Sequence, residues 1–278
     1  MNPRRLFCFS LLPPLLLVLW AFCLEPASLR VRTSRLALPG WPAACDGLRV
    51  AVLSDLHVGS PFNGLAHLSR VVARTGRARP DLILLAGDFL ISDVKGGTFV
   101  APEPIAEGLS KLSAPLGTFA VLGNHDWWFD GPRMQRALEH AGIHVLEDRS
   151  LPLARGECRF SLAGVGDFRE AAHDVPRALA AVPADSAVIV FTHNPDVFPQ
   201  IPQRVTLTIA GHTHGGQVYI PGIGRPIVPS RYGERYAIGH VVEHGSHLFV
   251  TSGIGTSLLP VRFLVPPEIR VLELASAN

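Results

Sequence analysis

Five short stretches of the chain carry side chains able to ligate a metal or move a proton. They are Ser54-Asp55-Leu56-His57, Gly87-Asp88, Gly123-Asn124-His125-Asp126, Thr192-His193-Asn194 and Gly211-His212-Thr213-His214. Asp, Asn and neutral His offer oxygen and nitrogen donors, and His is the side chain whose proton comes and goes near neutral pH. A single histidine after a strand, or an aspartate after a glycine, is ordinarily just a polar residue shaping a turn. Here His57, His125, His193, His212 and His214 all fall in such stretches, each directly after an apolar run of strand length. It is this joint occurrence, rather than any one triplet, that points to a site.

The elements that must position these residues are legible around them. Apolar runs over residues 48–53, 82–86, 118–122, 187–191 and 205–210 precede the five stretches, and further runs cover 143–146, 237–242, 247–250 and 269–274. Helical spacing of apolar residues fits 65–75, 102–112 and 132–140. Runs that are continuous rather than alternating predict strands covered on both faces, which is the pattern of a layered α/β fold. In open α/β sheets, sites are built just beyond the strand ends, where these polar residues stand. Gly123 and Gly211 are read as places where the backbone turns sharply. Residues 25–47, with Pro26, Pro39, Gly40 and Pro42, predict a linker, and 48–278 one catalytic-sized domain.

Composition removes several alternatives. Of 278 residues, 47% are hydrophobic and 17% charged, against about 25% charged in ordinary soluble domains. The apolar excess is concentrated in residues 6–24, which contain no charge. Residues 1–35 hold five arginines against Glu25, so they carry +4 of a net +2 and leave the rest of the chain at −2. A mildly acidic body argues against a basic nucleic-acid-binding domain. Cys8, Cys23, Cys45 and Cys158 show no C-x-x-C spacing, which excludes a cysteine zinc site or a disulfide framework. Whether Cys45 and Cys158 pair stays open. Neither a G-x-S-x-G elbow nor a Walker A loop is present.

Residues 6–24 are long enough to span about 28 Å as a helix. They predict one N-terminal transmembrane helix, with residues 1–24 an anchor or signal segment and a single-pass location at the cell membrane. A cleaved signal peptide is the alternative, although no clear A-x-A site follows. Arg4 and Arg5 on one side nearly balance Arg30, Arg32 and Arg35 on the other, so the membrane face stays open. Arg4-Arg5-Leu6-Phe7 partly resembles a twin-arginine export signal, which keeps export as a route.

Taken in order, Asp55-Leu56-His57, Gly87-Asp88, Gly123-Asn124-His125-Asp126, His193 and Gly211-His212-Thr213-His214 resemble the D-x-H, G-D, G-N-H-[DE], His and G-H-x-H motifs of the calcineurin-like metallophosphoesterase superfamily. His214-Gly215-Gly216-Gln217, Ser230-Arg231-Tyr232-Gly233, the run from Thr251 to Ser257 and Leu259-Pro260-Val261-Arg262-Phe263 look like its YkuE/YaeI-type branch. That branch has membrane-associated members and includes UDP-2,3-diacylglucosamine pyrophosphatase-like proteins. The resemblance implies two packed mixed β-sheets flanked by helices. It also implies two divalent metal ions, one held by Asp55, His57, Asp88 and His214 and the other by Asp88, Asn124, His193 and His212. Asp88 would bridge them. Manganese, zinc, iron and magnesium all suit such a donor set.

By the same resemblance, His125 protonates the leaving oxygen and Asp126 orients its ring. The implied function is hydrolysis of a phosphodiester or pyrophosphate by metal-activated hydroxide, on a phosphate-ester small molecule or a lipid-linked substrate such as UDP-2,3-diacylglucosamine. Nucleotide phosphodiesterase and phosphomonoesterase activities are the alternatives. A non-catalytic phosphoesterase-like scaffold fits least, because the ligand set has no gap. Neither a nucleic-acid nor a protein partner is indicated. The Asp167–Glu170 run and the Trp127-Trp128-Phe129 cluster are left between structural roles and a place on the substrate side.

Overall fold

The continuous apolar runs pair as strands, in two six-stranded mixed sheets of a computed structural model that describes residues 12–277. In chain order the strands are β1 (Arg30–Leu38), β2 (Leu48–Leu53), β3 (Leu82–Ala86), β4 (Thr118–Val121), β5 (His144–Val145) and β6 (Arg149–Arg155). They continue as β7 (Cys158–Val165), β8 (Val188–Thr192), β9 (Leu207–Ala210), β10 (Gly239–Glu243), β11 (Ser246–Val250) and β12 (Glu268–Ser276). One sheet runs β1-β12-β2-β3-β4-β5 and the other β10-β11-β9-β8-β7-β6. Strands β2 to β5 are mutually parallel, as are β7, β8, β9 and β11, whereas β12 runs antiparallel to β2, β6 to β7 and β10 to β11.

Alternation along β2 explains why its sequence is apolar throughout. Val50 and Val52 face the other sheet, where they meet a core that includes Leu82, Leu84, Leu162, Ile189, Phe191 and Ile209. Ala51 and Leu53 face outward under the helices α1 (Leu65–Arg77), α2 (Pro102–Leu109) and α3 (Asn124–His140), through Leu68, Val71, Ile105, Leu109, Met134 and Leu138. The short helix α4 (Val175–Leu179) covers the outer face of the second sheet in the same way. Each fully buried Leu or Val in these layers contributes about 1.5–3 kcal/mol.

Cys45 and Cys158, left open by the sequence, form a disulfide with their Cα atoms 4.6 Å apart. It joins the turn before β2 to the first residue of β7, and so one sheet to the other. Trp41 packs against Phe160 beside it, ring centroids 5.3 Å apart.

Two expectations are corrected. The linker expected over residues 25–47 contains β1, which pairs parallel with β12 from Arg30↔Glu268 to Leu38↔Ser276. Arg30, Arg32 and Arg35 are exposed on this edge strand, while Leu36 and Leu38 point into the core. The transmembrane helix expected over residues 6–24, and the membrane location that followed from it, are not carried by the structure. Residues 1–11 lie outside the described residues. Residues 12–24 are helical, widening into a π-helical turn at Trp20–Leu24. Among the described residues no helix is long and apolar enough to cross a membrane. The helix stops where it meets the domain: Glu25, 3% exposed, accepts the indole N–H of Trp20 and the backbone N–H of Leu264.

Candidate metal centre

Strands β2, β3 and β4 of one sheet and β8 and β9 of the other end at a common rim. Backbone bonds seal it: Asp55 N–H donates to Gly87 O at 2.9 Å and Gly211 N–H to His193 O at 2.9 Å. Two side-chain bonds cross between the sheets, His193 Nδ1 to Ala86 O at 2.7 Å and His212 N–H to Asp55 Oδ2 at 3.0 Å. The expected sharp turns at Gly123 and Gly211 are instead close approaches. A Cβ on Gly123 would fall 2.2 Å from Asp88 Oδ1, and one on Gly211 1.8 Å from Ser54 Oγ.

All seven expected ligands and His125 are buried here, none more than 6% exposed. Asp55, His57 and His214 bring ligand atoms within 4.8 Å of one another, as do Asp88, His193 and His212. His57, Asp88 and His125 form a third such group. Asp88 Oδ2 is the shared point, 3.5 Å from His57 Nε2, 3.3 Å from His193 Nε2 and 3.9 Å from His125 Nε2. Asn124 Oδ1 lies 3.2 Å from His193 Nε2, and His214 Nε2 3.4 Å from Asp55 Oδ1.

The donor chemistry fits two cations. His57 Nδ1 donates to Leu90 O, and His193 Nδ1 to Ala86 O, which turns both Nε2 lone pairs inward. There they face other ring nitrogens, His57 Nε2 to His214 Nε2 at 3.1 Å and His193 Nε2 to His212 Nδ1 at 3.0 Å. Lone pairs so placed repel unless a proton or a metal ion stands at them. Asp55 Oδ1 and His212 Nε2 are buried without a hydrogen-bond partner. Burial first, and then the neighbouring imidazoles, hold His57 down to about 3 and His212 and His214 well below the ordinary imidazole value. Neutral rings of this kind are ready to ligate. His193 differs: burial opposes its charging, yet Asp88, Asp55 and Asp167 around it hold it well above that value. In effect its proton neutralises the carboxylates that metal ions would otherwise neutralise.

A family model for calcineurin-like phosphoesterases matches residues 48–216. The chain belongs to that family. It is similar to the metallophosphoesterase YkuE of Bacillus subtilis (strain 168), 30% identical over 93% of this chain and 90% of that protein. Phosphodiesterase YaeI of Escherichia coli (strain K12) is 33% identical over 81% of this chain and 82% of its own length. UDP-2,3-diacylglucosamine pyrophosphatase LpxG of Chlamydia trachomatis is 25% identical over 94% and 93%. The chain is thus a metal-dependent phosphoester hydrolase, of a family that normally binds a dinuclear metal site.

Some expected contacts differ. Asp126 does not orient the ring of His125. Its carboxylate accepts the backbone N–H groups of Asp88, Phe89 and Gly123 at 2.8–2.9 Å, clamping the β3 and β4 ends together. The contact on His125 Nδ1 comes from Ser92 Oγ, at 2.5 Å. The aromatic cluster divides: Trp127 packs against the core under α1–α3, whereas Trp128 is 52% exposed with its ring 4.7 Å from that of His125. In the 167–170 run, buried Asp167 accepts the backbone N–H groups of Arg169 and Glu170, and the charge of exposed Arg169 reaches His212. Ser92 had no signal in the sequence, since an isolated serine in a loop matches no spacing rule.

Proposed function

We propose that this centre hydrolyses a phosphodiester or pyrophosphate whose other end is apolar. The observation that carries the reading is Asp88, whose one carboxylate oxygen stands between imidazoles of both sheets. Asp55, His57, Asp88 and His214 would hold one divalent ion, and Asp88, Asn124, His193 and His212 the second. When bound, the two ions supply Lewis-acid charge for the phosphoryl oxygens and the attacking water. His125 is the residue in place to hand over a proton. In the tautomer where the Ser92 hydroxyl donates to Nδ1, the ring carries its proton on Nε2, the nitrogen that faces Asp88 and the centre. Arg169, on the turn held by Asp167, carries an exposed cation whose charge is felt at His212, and it would suit a second phosphate or the far oxygen of a diester.

Support for the apolar end comes from Trp128 next to His125, and from Phe129 beside Phe99 with ring centroids 4.9 Å apart, all three partly or largely exposed. The names of YaeI and LpxG, a phosphodiesterase and a UDP-2,3-diacylglucosamine pyrophosphatase, agree with this substrate class. To test it, purified full-length protein is stripped with chelator and reloaded singly with Mn, Zn, Fe or Mg. It is then assayed on UDP-2,3-diacylglucosamine, bis-p-nitrophenyl phosphate, cyclic nucleotides and p-nitrophenyl phosphate. Metal-dependent turnover of the pyrophosphate or the diester, lost in Asp88→Ala together with both metals, is the expected result. Turnover confined to the monoester would overturn it.

A further inference from the structure

Behind the centre lies a buried arginine whose hydrogen bonds all go to backbone carbonyls. Among the described residues Arg262 is the largest fully buried side chain, and none of its hydrogen bonds there reaches a carboxylate. Its Nε and Nη2 donate to Gly255 O at 3.2 and 2.6 Å, Nη2 also to Ser252 O at 2.9 Å, and Nη1 to Val265 O at 2.9 Å. A charge taken out of water without an ion pair is costly to keep. What it gains here is three carbonyls held at once by a rigid planar fork, which the single nitrogen of lysine cannot span.

The loop gathered by that fork forms the back of the metal centre. Ile254 N–H donates to Ser54 O at 3.1 Å and Gly255 N–H to Asp55 O at 2.7 Å. Gly253, at φ +67°, comes so close that a Cβ there would lie 2.7 Å from Asp55 Cβ and 2.8 Å from its Oδ2. Asp55 is therefore seated against a loop whose own carbonyls Arg262 fixes. From the other side, the N-terminal helix is fastened to the same segment. Arg262 N–H donates to Ala21 O at 2.9 Å, and Leu264 N–H to Glu25 Oε2 at 3.0 Å. The second oxygen of Glu25, Oε1, is buried without a partner.

We propose that Arg262 is a positioning residue of the metal centre, with the turn from Trp20 to Glu25 as its outer clasp. The proposal rests on the dinuclear reading above. Truncating or shortening the fork frees the 252–255 loop, and Asp55 loses the wall that sets its carboxylate toward His57 and His214. Residues one shell out from a metal typically change its affinity ~10–100-fold.

The experiment uses the full chain, stripped of metal and titrated with Co(II), followed by calorimetry and by the visible d–d absorption of the bound ion. Wild type is compared with Arg262→Lys, Arg262→Met and Glu25→Gln, each checked for folding by circular dichroism. Wild type should take up two equivalents. Both Arg262 variants should bind ~10–100-fold more weakly with an altered absorption band, and Glu25→Gln roughly 3–10-fold more weakly. Wild type binding no cobalt would mean that the dinuclear reading itself fails. Two equivalents in wild type, with unchanged affinity and band in folded Arg262→Lys, overturns the role of Arg262 alone. Should neither Arg262 variant fold, Glu25→Gln decides: weaker binding supports the clasp, and wild-type affinity refutes it.

Discussion

Five of the seven expected ligands share a conformational oddity. Asp55, His57, Asp88, His212 and His214 all have positive φ, between 39° and 67°. For residues other than glycine this costs about 1–2 kcal/mol each, so the fold sustains strain at one small place to turn five side chains inward. The residue types were legible in sequence because oxygen and nitrogen donors at strand ends are few and chemically selective. The supporting residues were not. Asp126 reads like a partner for the adjacent histidine, yet three backbone N–H groups occupy its carboxylate. Ser92 reads like nothing and meets His125 Nδ1. Replacing it separates the two contacts. In Ser92→Ala the ring of His125 loses its Nδ1 partner, and turnover of an alkyl diester should fall by about tenfold. His125→Ala should lose ~10²–10⁴-fold, the usual scale for removing a general acid. On a p-nitrophenyl ester, whose leaving group needs no proton, both losses should shrink toward unity. Equal losses on the two substrates would show that Ser92 and His125 serve binding and not proton transfer.

Among the strands, those expected from apolar runs were read within a residue or two, whereas β1, β6 and β7 were missed, and α3 begins at Asn124, eight residues before the expected start. Strand β1 carries Arg30, Arg32 and Arg35 with Thr33 and Ser34, and β6 carries Pro152 and three charged or polar positions, so neither looks like a buried strand. Each is an edge strand, and edges tolerate such residues because one side faces solvent. The junction between β4, β5 and β7 holds a further feature that spacing does not announce. Glu147 accepts the Leu122 N–H through Oε1 at 2.7 Å, while its Oε2 is buried with no partner close to Gly166. Burial first, with the charges of Asp148, Asp167 and Asp126 adding to it, pushes its carboxyl up to about 8. The unfolded chain releases that proton near the ordinary glutamate value, about 4.3, whereas the folded protein keeps it until about 8. Between those values the folded state binds more protons, so stability falls as pH rises. Glu147→Gln keeps the bond to Leu122 and removes the ionisation. Its urea midpoint should match wild type near pH 4.5 and exceed it increasingly toward pH 8. A gap that stays constant across that range would refute the buried acid.

At the scale of the whole molecule, the centre is an interface property. Asp55, His57, Asp88 and Asn124 come from the sheet containing β2 to β4, and His193, His212 and His214 from the sheet containing β8 and β9. The distance between the two ligand groups is therefore set by how the sheets sit on each other. Twenty-four buried residues of the core between the sheets fix that relation locally. The covalent link is at the far end: Cys45 precedes β2 and Cys158 opens β7, while the expected ligands follow the opposite ends of the strands. One length of β2 separates them, about 20 Å at 3.3 Å per residue. With a sequence separation of 113, the bridge closes a loop long enough for cross-linking to remove much of the unfolded chain's freedom, a term of about 2–5 kcal/mol. A double variant, Cys45→Ala with Cys158→Ala, should lose stability on that scale in urea unfolding. Because the apolar core still holds the sheets together in the folded state, its metal stoichiometry and its kcat should stay within about twofold of wild type. Loss of one metal in the folded variant would show instead that the disulfide helps to hold the sheets in the register that the centre requires.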